Sequence, residues 1–161
     1  MLAVGGALLL LDQVTKALAR AHLAPAQSVP LLDGVFYLTY ILNPGAAFGL
    51  FAGGRTLFLA TFAIVVVLTA VYWAVFRPNT WWVVIAIAMF MSGALGNFID
   101  RLLFGKVTDF LDFALIRWPV FNIADMAIVT GITMLIIWVI FEPKEKRDGD
   151  VASQSDSDEV I

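Results

Sequence analysis

The chain has 161 residues, 61% of them hydrophobic and 14% charged, where a soluble domain has about 45–50% and about 25%. A water-soluble fold of this size cannot hide so much apolar surface, so the solvent for most of the chain is lipid. With no cysteine and one histidine, a disulfide framework, a thiolate metal site, a cysteine nucleophile and a histidine metal cluster are excluded.

The length allows one domain, residues 1–141. Residues 142–161 hold seven acids and three bases, which account for the net negative charge. That tail holds three Ser, is poor in apolar residues and is expected to be disordered. No basic patch is interleaved with aromatics, so nucleic-acid binding is not expected.

A helix needs about 20 mainly apolar residues to cross a hydrocarbon core. Met1 to Ala19 is the first such run. Ala24-Pro25-Ala26 resembles a small-residue cleavage site, but no basic stretch precedes the apolar core, so a span is favoured over a cleavable signal peptide. Asp12 and Lys16 stand four apart, acid first, and can pair on one helix face. At membrane depth such a pair lets both charges be tolerated, and a structural ion pair is favoured over contact with a substrate. His22, just past the run, is expected to be a solvated interface residue.

Between Val29 and Ile41 the chain is rich in β-formers and broken by a turn at Asp33-Gly34. That pattern predicts a small strand pair on the membrane surface. In Asn43-Pro-Gly-Ala-Ala-Phe48 a rigid Pro precedes Gly45 and two small residues, a turn that permits close backbone approach. Asn43 offers both a donor and an acceptor.

Thr56 to Phe76 is the second span, and Arg77 to Thr80 is a tight turn. Trp81 to Ile99 is the third. Its Gly93 and Gly96 favour close helix packing. Asn97 and Arg101 share a face and can present donors toward one point, with Arg101 able to neutralise Asp100, Asp109 or a substrate carbonyl. Leu102 to Val120 is mixed, amphipathic and too polar to cross. Ile123 to Phe141 is the fourth span, with Asn122 as N-cap and Asp125 in the first turn, where the helix dipole favours its ionised form. No internal repeat supports an inverted-repeat transporter.

Four spans bring Asp12, Lys16, Asn43, Asn97, Asp100, Arg101, Asp109, Asn122 and Asp125 to one side of the membrane. An acid at span depth marks a functional site. Two acids sharing one proton suggest aspartic peptide hydrolysis. Asp125 is a candidate for one member, with a cap pair without chemistry as the alternative. Spacing alone leaves Asp100, Asp109 and Asp112 open as its partner. Charge counting leaves the orientation open too. Six bases (Lys16, Arg20, Arg55, Arg101, Lys106, Arg117) lie on the polar side and four (Arg77, Lys144, Lys146, Arg147) on the other. Without the two site bases Lys16 and Arg101, the sides are equal. Rival readings are a small transporter or proton-conducting protein using the same acids, and a structural membrane subunit. A presenilin-like protease is disfavoured because no G-x-G-D motif is present.

Five boxes in order, D-Q-V-T-K at 12–16, N-P-G-A-A-F at 43–48, G-A-L-G-N-F-I-D-R at 93–101, V-T-D-F at 107–110 and P-V-F-N-I-A-D at 119–125, resemble those of the lipoprotein signal peptidase (signal peptidase II) family. Ser92 departs from the family pattern, which has a second glycine there.

The resemblance implies an all-α membrane protein of four transmembrane helices, with a small extracytoplasmic β-rich segment between helices 1 and 2. It implies an aspartic endopeptidase of the bacterial inner membrane with its site at the outer face and the acidic tail, 142–161, in the cytoplasm. The substrate would be a diacylglyceryl-modified prolipoprotein cut just before the lipidated cysteine. Catalysis falls on Asp109 and Asp125. Asn43, Gly45, Gly93, Asn97, Asp100, Arg101, Asn122 and Ala124 bind substrate or support the site, beside the Asp12–Lys16 pair. No metal or organic cofactor is implied, membrane lipid is a partner, and a monomer is expected.

Overall fold

The computed structural model describes residues 2–45 and 55–141. Four helices carry the chain: α1 (Leu2–His22), α2 (Arg55–Phe76), α3 (Trp81–Phe104) and α4 (Ile123–Phe141). Each contains a stretch long and apolar enough to cross a membrane. The four expected spans are present. Helices α1 and α3 run a few residues further than apolarity alone indicates, to His22 and Phe104. Both extensions are amphipathic, with Arg20 and Arg101 in the last turns, where bases suit the helix dipole.

Along α1 the packing is inverted relative to a soluble protein. On α1 the buried residues are Asp12, Lys16 and Ala19, one face at helical spacing. Leu2, Leu10 and Leu18 of the same helix are exposed, as suits a lipid-facing surface. Helix α3 lies centrally and packs against α1, α2 and α4. Its contact with α4 depends on glycines at two levels. A Cβ on Gly93 would collide with the carbonyl oxygen of Ala124 and lie 2.8 Å from Ile128 Cγ1. One on Gly131 would lie 2.6 Å from the carbonyl oxygen of Ala86. Small residues here let two backbones meet, as membrane helices require.

The β structure is larger than the expected strand pair. Strands β1 (Ser28–Leu32), β2 (Phe36–Asn43) and β3 (Val107–Phe113) form one antiparallel sheet in the order β1-β2-β3. The first two form the hairpin turning at Asp33-Gly34, with Gly34 at φ 74°. The third comes from the stretch that patterning reads only as mixed and amphipathic. Buried and half-buried positions run through Val107–Phe113 without alternation, because both faces are covered, and the period-2 signal is lost.

Strand β3 starts just after α3 ends at the αL cap Gly105. A 3-10 turn at Ala114–Ile116 reverses the chain. Phe121 then returns to β3, exchanging backbone hydrogen bonds with Leu111 at 2.8 and 2.9 Å. This return delivers Asn122 and the start of α4 beside Asp109. The end of α1, the end of α3 and the start of α4 therefore meet at the sheet, which is the clustering that topology implied.

Candidate active site

The start of α4 is built as a capping box, one of the strongest local signals for helix entry. Asn122 Oδ1 accepts the Asp125 N–H at 2.9 Å, and Asp125 Oδ2 accepts the Asn122 N–H at 3.2 Å. The Asp125 carboxyl is thus held by its own helix end. From α3, Asn97 Nδ2 donates to Asp125 Oδ1 at 2.7 Å.

Asp109 comes from β3, opposite Ile41 in the register. Asn122 Nδ2 donates to Asp109 Oδ1 at 2.6 Å, and Asn43 Nδ2 donates to Asp109 Oδ2 at 2.9 Å. One residue, Asn122, therefore bonds both carboxyls. Asp109 and Asp125 both line a cavity of about 610 Å³. Its other polar walls are Asn43, Asn97 and Arg101, and its apolar walls include Ile41, Trp118, Phe121, Ile128 and Val129.

Burial pushes the Asp109 carboxyl up to about 7, and the neighbouring Asp125 charge adds to the rise. Donors from Asn43 and Asn122, and the Lys16 charge, oppose it. A carboxyl that changes state near neutrality, beside a second acid on the same cavity wall, is suited to exchange a proton with a reacting group.

The other two acids that spacing left open face elsewhere. Asp112 Oδ2 accepts Thr39 Oγ1 at 2.7 Å across the sheet. Asp100 is fully buried and does not line the cavity. Its Oδ2 accepts the Thr108 N–H at 2.8 Å and lies 3.8 Å from Lys16 Nζ, and Arg20 Nη1 lies 3.6 Å from its Oδ1. Asp100 thus ties the start of β3 to α1, a supporting position without access to the cavity.

Asp12 and Lys16 are an ion pair at 2.9 Å, both essentially inaccessible. Asp12 Oδ1 also accepts the Ala124 N–H at 2.9 Å, so α1 caps a free donor at the start of α4. Gly96 leaves room for that carboxylate, since a Cβ there would strike Asp12 Oδ2. Gly93 and Ala124 pack the helices together and do not line the cavity.

Asn43 uses both ends of its amide. Besides Asp109, its Oδ1 accepts the Gly45 N–H at 3.0 Å, an Asx turn that fits the Asn-Pro-Gly box. Ala46 to Phe48 of that box, and the acidic tail after Phe141, lie outside the described residues. Arg101 donates to the carbonyl oxygens of Gly45 at 3.1 Å and Asn97 at 3.3 Å, and its guanidinium lies 4.1 Å from the centre of the Phe58 ring. It makes no ion pair with an aspartate among the described residues. The expectation that it could neutralise Asp100 or Asp109 is thus not met by a direct pair, and contact with a substrate carbonyl is untested. In the fold it fixes the turn after β2 and keeps its charge at the cavity edge.

Two residues of the cluster, Thr108 and Arg20, are not singled out by patterning. Thr108 is fully buried, and its hydroxyl accepts Arg20 Nη1 at 2.8 Å. The signal is present in the chain, since Thr108 stands directly before Asp109 in the V-T-D-F box and Arg20 follows Lys16 by four residues on α1 and, like it, needs a partner. His22, expected to be solvated, is exposed.

Residues 4–141 match the family model for signal peptidase (SPase) II. Among curated proteins, the chain is 44% identical over 152 residues to a lipoprotein signal peptidase of Syntrophus aciditrophicus, covering 90% of this chain and 94% of that one. It is 43% identical over 138 residues to one of Pelotomaculum thermopropionicum, covering 86% and 89%. Among solved structures it resembles a bacterial membrane enzyme determined by the in meso method at 2.3 Å, with a TM-score of 0.82, 30% identity and 86% of each chain covered.

Proposed function

The chain belongs to the signal peptidase II family and is a multi-pass membrane protease that removes signal peptides from lipoproteins, and from that premise we propose that it works as an aspartic endopeptidase through Asp109 and Asp125. The observation that carries this reading is that Asn122 bonds both carboxyls on the wall of one cavity.

In the proposed reaction Asp109 starts protonated and Asp125 ionised. Asp125 takes a proton from water as the oxygen attacks the scissile carbonyl, and Asp109 gives its proton to the carbonyl oxygen. The tetrahedral intermediate then collapses. Asp125 passes its proton to the leaving amine as the C–N bond breaks, and a hydroxyl proton returns to Asp109. The pair ends as it began, with one proton between two acids. The Asn97 and Asn122 amides hold the acids in place, and Asn43 orients Asp109.

The substrate is a diacylglyceryl-modified prolipoprotein, cut just before the lipidated cysteine. The apolar walls at Ile41, Trp118, Ile128 and Val129 suit lipid chains and an apolar signal helix. We place the protein in the bacterial inner membrane with the cavity at the extracytoplasmic face, acting as a monomer. Incubation of the purified protein with a lipidated precursor and its unlipidated twin tests the substrate class. Cleavage of the lipidated form alone is expected. Equal cleavage of both would remove lipid recognition from the reading, and cleavage of neither would remove the reading itself.

A further inference from the structure

The Asp12–Lys16 pair accounts for only part of what Lys16 does. Its ammonium is fully buried, so it cannot touch a substrate. It donates to Asp12 at 2.9 Å and also to Asn97 Oδ1 at 2.9 Å. Asn97 Oδ1 accepts a second donor, Asn122 Nδ2, at 3.2 Å. With its oxygen so occupied, the Asn97 amide turns its NH2 group toward Asp125 Oδ1, at 2.7 Å.

The reverse orientation of that amide is blocked by three contacts. It would set an NH2 group against the ammonium, the same NH2 against the Asn122 NH2, and a carbonyl oxygen against the Asp125 carboxylate. Asn and Gln amides are oriented by their network, and here the strongest member of the network is the buried cation. Without it, Asn97 Oδ1 keeps only the long Asn122 donor, and the amide is oriented by that bond and by Asp125 itself.

We propose that Lys16 is a positioning residue for Asp125, acting through the Asn97 amide. A residue of α1 thereby governs a carboxyl of α4 that it does not touch. The cation fixes which end of Asn97 faces the acid and polarises that amide into a stronger donor. Its effect falls on the chemical step, because the acid it orients contacts the reacting water. This inference rests on the catalytic role proposed for Asp125.

The test is a comparison of kcat and KM for the diacylglyceryl precursor in two backgrounds. Lys16→Met is made together with Asp12→Asn, so that Asp12 is not left a buried carboxylate without its cation and the amide oxygen put in its place can still accept the Ala124 N–H. Asp100, which also loses Lys16 at 3.8 Å, keeps Arg20 and the Thr108 N–H. Relative to Asp12→Asn alone, the double variant is expected to lose about tenfold or more in kcat, the scale of one oriented charge-assisted hydrogen bond. KM is expected to stay within about twofold. In an Asn97→Ala background the same Lys16 change is expected to cost little further, since residues acting as one unit are not additive. Lys16→Gln keeps a donor toward Asn97 and is expected to recover part of kcat. It also keeps the comparison measurable should the methionine variant not fold.

An equal loss of kcat with Asn97 present or absent would overturn the proposal, as would a lowered unfolding temperature with unchanged kcat. Wild-type protein that does not cleave the lipidated precursor would sink the proposed function instead, so the two failures can be told apart.

Discussion

At the scale of single residues, the site depends on Asn122. It caps α4, bonds both acids and also reaches Asn97. Asn122→Ala should cost about 1 kcal/mol or more from the lost cap, seen as a lower unfolding temperature in detergent, and should reduce kcat well beyond what that loss explains. Asp109 makes the pH dependence predictable. Folding raises its carboxyl from 3.8 to about 7, so the native state favours the protonated form. The stability this contributes is complete below the ordinary carboxylate value and is lost as pH rises through about 7. Asp109→Asn should therefore unfold at a higher temperature than wild type above neutrality, with the difference shrinking in acid. If Asp109 must begin protonated, kcat/KM should fall as pH rises through the same region. A rate flat from about pH 6 to about pH 9 would contradict that role. Among these residues, Asn122 and Asp125 were legible as a cap pair because N-x-x-D before an apolar run is a local pattern. Spacing alone did not choose Asp109 over Asp100 and Asp112, although the family resemblance did. Asp109 and Asp112 share strand β3, and only packing shows that Asp109 lines the cavity while Asp112 meets Thr39.

At the scale of elements, α3 and α4 form the axis of the site, joined where glycines let backbones touch. A side chain at Gly131 has only backbone and the Phe90 Cβ to displace. Gly131→Val should therefore cost about 1–3 kcal/mol, read as a lower unfolding temperature, and should impair cleavage although the residue does not line the cavity. Normal stability would show that α3 and α4 separate freely. The helices were readable because about twenty apolar residues in lipid have few alternatives to a helix. Strand β3 was not, because its pairing partner β2 lies 66 positions earlier at the Asn43–Asp109 contact and its two covered faces erase alternation. Its register nonetheless puts Asp109 opposite Ile41 and within reach of Asn43.

At the scale of the whole molecule, lipid-facing apolar side chains surround a buried polar cluster gathered at one end of the bundle. The segregation was visible in the topology of four spans. Its internal wiring, from Asp12 and Lys16 through Asn97 to Asp125, required the helices to be packed. Burial of two acids beside one another costs stability, as sites that hold charge out of water do, and membership of a protease family gives that cost a purpose. The most direct measurement is the cleavage rate of a diacylglyceryl-modified precursor by Asp109→Asn and Asp125→Asn, each verified as folded by its elution and thermal unfolding in detergent. Both variants should lose cleavage by at least about a hundredfold, the lower end of what removal of an acid–base group costs. Turnover by either folded variant within about tenfold of wild type would contradict a reaction run by these two carboxyls.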